Sequence, residues 1–161
     1  MSLFDDAASA PLTGAGKYFY PGRFVVRIRA VLTHESRNPM KQGITFFIVE
    51  CEIVEAEHSE RLKVGDIVSW RPAMNDKNQP NGPQNVKNFC LAGGRTLYAN
   101  FAEEDLTGAK IKEFCAEDQP LVGELICADA IEITTKAGNP FTLVTWSRFE
   151  EAAPGEEAAP N

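Results

Sequence analysis

Between Lys17 and Glu57 the chain reads as strand, basic loop, strand: KYFYPGRFVVRIRAV, then LTHESRNPMKQG, then ITFFIVECEIVEAE. These two β-runs are the strongest structural signal in the sequence, and any fold must accommodate both. Period-two alternation sends Phe24, Val26, Ile28 and Ala30 to one face of the first run and Arg23, Val25, Arg27, Arg29 and Val31 to the other. In the second run Phe47, Val49, Cys51 and Ile53 form the apolar set, leaving Phe46, Ile48, Glu50 and Glu52 opposite. Three guanidinium groups along one strand face are unusual, since a solvated face more often mixes Glu, Lys and Thr. Phe46 on the half-polar side is a candidate stacking platform for a base, an interaction worth about 1–3 kcal/mol. The competing reading is that both faces of this strand are covered and Phe46 is core.

At 161 residues the chain suits one domain with a real core. Cys51, Cys90, Cys115 and Cys127 lie far apart without a CxxC pair, and His34 and His58 are the only histidines. That argues against zinc and for reduced thiols in a cytoplasm. The start MSLFDDAASAPL has no signal-peptide character, and no stretch is long enough to span a bilayer. The net charge of −7 speaks against a nucleic-acid partner, but its distribution does not. From Lys17 to Val49 there are six Lys/Arg against one acid, whereas Glu150, Glu151, Glu156 and Glu157 close the chain with no base among them.

Residues 1–16 read as a flexible arm and 150–161 as a disordered acidic tail, flanking a domain over 17–149. Ile67 to Arg71 is a short third strand. Pro72 to Gln84, rich in Pro and Asn, is a surface loop. A helix is predicted over Asn85 to Leu91, ended by Gly93-Gly94, and another over Asp105 to Ala116. Leu121 to Thr135, irregular near Gly123, and Phe141 to Phe149 form a final hairpin about the turn TKAGNP.

This order predicts a mainly β fold: a five-stranded OB-type Greek-key barrel with short helices between strands 3 and 4. In such a barrel strands 2 and 3 and the loops joining strands 1 to 2 and 4 to 5 border the ligand groove. The runs YFYPGRFVVRIRAV, SRNPMKQG, FFIVECEIVE and VGDIVSW resemble the phage-encoded OB-fold single-stranded DNA-binding proteins over residues 17 to 91. The resemblance implies non-catalytic binding of single-stranded DNA in phage replication or recombination, within the bacterial host cytoplasm. The acidic C-terminus is similar in character to the partner-recruiting tails of single-strand binding proteins, which would make Glu150, Glu151, Glu156 and Glu157 contacts for replication or recombination proteins. Unlike the familiar bacterial tail, it does not end in an apolar residue.

Arg27, Arg29, Arg37, Lys41, Phe46 and Arg71, with Lys136 at the edge, are the candidate nucleic-acid contacts. The alternative for the arginines is pairing with Glu50 and Glu52. Trp70 and Trp146 are expected to be core, as are Tyr18 and Tyr20, for which stacking on bases is the alternative. An enzyme is disfavoured: there is no nucleophile elbow, no metal spacing and no third acid beside Glu50 and Glu52. No cofactor and no membrane partner are expected, and self-association is left open. The rival function is a non-enzymatic protein-interaction module, such as a phage structural component or an inhibitor of a host factor.

Overall fold

The computed structural model describes residues 17–135 and 138–150. The expected arm, most of the acidic tail and Lys136 lie outside them. The elements in chain order are β1 (Gly22–Glu35), β2 (Thr45–Glu57), β3 (Ile67–Trp70), α1 (Gly82–Leu97), α2 (Gly108–Phe114), β4 (Leu125–Thr134) and β5 (Pro140–Arg148). The strands form one antiparallel sheet in the order β3-β2-β1-β4-β5, with both α-helices inserted between β3 and β4.

The sheet's inner face carries the core. Phe24, Val26 and Ile28 of β1 meet Phe47, Val49, Cys51 and Ile53 of β2, Val68 of β3, Ile126 and Ala128 of β4, and Val144 and Trp146 of β5. Helix α1 packs against β5 and adds Val86, Phe89 and Cys90. The Phe89 ring lies 5.8 Å from Phe47, 5.7 Å from Trp70 and 4.9 Å from Trp146. Such tilted and edge-on contacts suit the aromatic quadrupole.

The sheet curls far enough to bring its two edges into side-chain contact, Trp70 on β3 and Trp146 on β5 lying 5.1 Å apart. It does not close into a barrel. At the seam three backbone groups are already taken: Ser69 N donates to the Lys17 carbonyl at 2.8 Å, while Asn88 accepts from Trp146 N at 2.8 Å and donates to its carbonyl at 3.3 Å. With those groups satisfied elsewhere, β3 and β5 have no ladder to share.

Strict alternation fails at one place in β1. The register runs from Ile28 opposite Cys51 to Ala30 opposite Glu50, so Arg29 is the extra residue of a bulge. A bulge sets two consecutive residues against one partner. Arg29 and Ala30 therefore both face outward with Glu50, and Val31 joins the core. The assignment of Ala30 to the inner face and Val31 to the outer is corrected accordingly.

The predicted helix end at Gly93-Gly94 is also corrected. Helix α1 continues to Leu97, and both glycines lie inside it. A Cβ on Gly93 would stand 2.9 Å from Leu121 and one on Gly94 2.3 Å from the Phe101 ring. The two residues are small because other segments press on the helix there, at a cost of about 1 kcal/mol each in helix propensity. The irregularity expected near Gly123 is a turn before β4, with Gly123 at φ 91°.

Candidate nucleic-acid interface

The outer face of β1, β2 and β3 is set by register. Arg27 stands opposite Glu52, the Arg29–Ala30 bulge opposite Glu50, Leu32 opposite Ile48 and His34 opposite Phe46. On the other side of β2, Glu50 faces Ser69 and Val49 faces Trp70, which puts Arg71 beside Ile48. Arg27, Arg29, Phe46 and Arg71 thus share one side of the sheet, as the alternation predicts. Arg27, Arg29 and Arg71 are exposed, and Phe46 is half-buried on the side away from the core.

Among the described residues none of these arginines forms an ion pair. Arg27 Nη1 donates to the Gly123 carbonyl at 3.1 Å, and Arg71 Nε donates to Ser69 Oγ at 3.2 Å. Both guanidiniums are oriented by neutral acceptors. The middle of the face is different in character. Ile48, Glu50 and Ser69 are buried there, Glu50 to 3 % exposure, so a ligand would meet the arginines around a packed centre.

The loop between β1 and β2 is held in shape by its own polar groups. Ser36 Oγ accepts from Asn38 N at 3.2 Å, Asn38 Oδ1 accepts from Met40 N at 2.9 Å, and Pro39–Lys41 makes a single 3-10 turn. Asn75 clamps the loop to the segment after β3, accepting from Thr45 N and donating to the Gly43 carbonyl, both at 2.8 Å. Lys41 Nζ sits 3.2 Å from Asp76 Oδ2, whose side chain is almost fully covered. The Asn78 amide, then Lys41, holds the Asp76 carboxyl below its ordinary range. Lys41 is therefore engaged in fastening two loops together. Arg37 is exposed and makes no ion pair among the described residues. The Pro72 to Gln84 segment is at the surface only in part, because Pro72, Ala73, Asp76 and Gly82 are buried.

The other loop of the expected groove lies at the opposite end of the sheet. The β1–β2 loop follows Glu35, whereas the β4–β5 turn projects past Gly22, the residue paired with Ala130. Beyond that pair β4 and β5 continue without β1. Ile131 faces Leu143 and Ile133 faces Phe141, a ladder on one side of the hairpin in which Ile131, Ile133 and Phe141 are all exposed. Their alternation is visible in the sequence. Where β1 stops pairing is not, and that alone decides whether the ladder is covered. Tyr18 and Tyr20 are likewise exposed, correcting their assignment to the core; Phe19 is the buried member of that run. The Arg61 guanidinium lies over the Tyr20 ring, 4.8 Å from its centroid.

Glu150 is exposed, with Arg148 Nη1 at 3.8 Å, while Glu151, Glu156 and Glu157 lie outside the described residues. All four cysteines are free thiols, and burial pushes Cys51 and Cys90 up and Cys115 up to about 11. Such thiols are poor nucleophiles. Among the described residues no helix is long and apolar enough to cross a membrane. No family model matches the chain, and no curated protein is significantly similar to it.

Proposed function

We propose that this protein binds single-stranded DNA, without catalysing a reaction on it, on the outer face of β1 to β3. The observation that carries the reading is the set of four exposed guanidiniums, Arg27, Arg29, Arg37 and Arg71, on that face and its adjoining loop, without a carboxylate partner among the described residues. Unpaired surface cations are what a phosphate backbone requires, because neutralising phosphates releases condensed counterions. Phe46 on the same side supplies a ring for a base. The strand order, the position of the helices and the approach of β3 to β5 support an OB-type sheet, and the sequence resemblance supports a phage protein of replication or recombination acting in the host cytoplasm.

A protein-interaction module is the second reading, favoured by the exposed ladder Ile131, Ile133 and Phe141. Ultraviolet cross-linking to an oligothymidylate, followed by mass spectrometry of the peptides, separates the two. Cross-links at the peptide containing Phe46 are expected. Efficient binding with no adduct on β1, β2 or the segment around Arg71 would remove the outer face from consideration.

A further inference from the structure

A cleft of about 400 Å3 lies between α1 and the end of β5, and none of its lining residues belongs to the outer face of β1 to β3. Arg95 lines it from the last turn of α1 and Arg148 from the end of β5. Tyr98, Asn100 and Phe101 form a further wall, and Leu91 and Ala92 add apolar surface.

The walls are fixed. Asn88 bonds both backbone groups of Trp146, which sets the spacing of α1 and β5. Asn100 adopts φ 61°, a left-handed conformation uncommon outside glycine, and turns the chain so that Phe101 lies on the helix at Gly94. Arg95 Nε donates to the Phe101 carbonyl at 3.4 Å. Tyr98 is held between the Phe101 ring, 5.8 Å away, and Lys110 Nζ, 4.9 Å from its centroid. The Glu103 carboxyl, held down first by Lys87, also feels the Arg95 charge, and Glu150, itself on the cleft wall, lies 3.8 Å from Arg148 Nη1 with both side chains more than half exposed. A contact of that kind is weak and readily displaced.

We propose that this cleft binds a small organic phosphate monoester of about mononucleotide size, independently of the outer face. Two guanidinium forks from different elements suit a dianion with three acceptor oxygens, whereas one carboxylate is satisfied by a single fork. The volume falls within the range of small-ligand pockets, about 300–1,000 Å3, and exceeds what inorganic phosphate would fill.

Calorimetric titration of the full chain with deoxyadenosine monophosphate tests the assignment. Saturable one-site binding is expected, and weaker binding of deoxyadenosine and of inorganic phosphate alone. Arg148→Ala and Arg95→Ala should each lower affinity about tenfold, the loss expected for one charge-assisted hydrogen bond. Lys112→Ala, on the exposed side of α2, should not. Should Arg95→Ala fail to fold, Arg148→Ala carries the test, since its side chain is mostly in solvent. Its affinity for an oligonucleotide should match that of the parent. No saturable binding at millimolar nucleotide, full binding in Arg148→Ala, or uptake of the peptide EEAAPGEEAAPN in place of the nucleotide would overturn the assignment. Nucleotide binding by a parent chain that ignores oligonucleotides would uphold it and sink the single-strand reading.

Discussion

The two faces of β1 and β2 are built from the same backbone and obey different rules. Inside, Phe24, Val26, Ile28, Phe47, Val49 and Cys51 are fully covered and uncharged, and their identity is dictated by packing. Outside, Arg27 and Arg29, with Arg71 just past β3, are exposed and form no ion pair among the described residues, and packing does not dictate their identity. Residues that the fold does not need are the ones a ligand can explain. The contrast predicts that inner substitutions act on stability, outer ones on binding, and that the two effects separate cleanly.

The largest effect should come from the core that the inner face shares with α1. Phe89→Ala removes the ring that joins Phe47, Trp70 and Trp146 and should cost about 3–5 kcal/mol in urea unfolding. A cost near zero would mean that the aromatic cluster does not hold the sheet edges together. Gly94→Ala comes next. It gains helix propensity but drives a methyl into Phe101, and a net loss of about 1–3 kcal/mol is expected. A more stable protein would show that Phe101 moves aside freely.

On the outer face Phe46→Ala should weaken oligonucleotide binding by about 1–3 kcal/mol and leave its salt dependence almost unchanged, since stacking releases no counterions. An unfolded variant would instead place Phe46 with the inner set. The smallest effect belongs to the loop fastening. Because the Asn78 amide and then Lys41 depress the folded-state pKa of Asp76, these contacts to its carboxylate stabilise the protein above the unfolded carboxyl value, about 3.9, and that contribution is lost as pH falls through the lower folded value. The thermal midpoint of Asp76→Asn should therefore fall below the parent's near neutrality and converge with it in acid. A gap that persists in acid would assign the effect to the fit of the covered side chain, not to the charge of its carboxylate.

Much of this was legible in the sequence for a physical reason. Period-two alternation reports which side is buried, and it placed Phe47, Val49, Cys51 and Ile53 inside and Arg27, Phe46 and Glu52 outside. It cannot report a bulge, because Arg29 is an ordinary residue and the shift exists only against Glu50 on another strand. Local propensity likewise reads Gly93-Gly94 as a stop, when the glycines answer to Leu121 and Phe101 far along the chain. The polar neighbours of Lys41 in the chain suit a phosphate contact, and its ion pair with Asp76 is visible only in the fold, which brings the two loops together. The exposed hairpin ladder was missed because strand lengths, not residue types, leave it uncovered.

The central claim is that the outer arginines neutralise phosphates. Titrating a fluorescent single-stranded oligonucleotide over a series of salt concentrations measures this directly. The logarithm of the binding constant should fall linearly with the logarithm of salt, with a slope of about 0.7 per phosphate contacted, and Arg29→Ala and Arg71→Ala should each flatten it by about that amount without lowering stability. Binding that is insensitive to salt, or a slope unchanged in both variants, would contradict it.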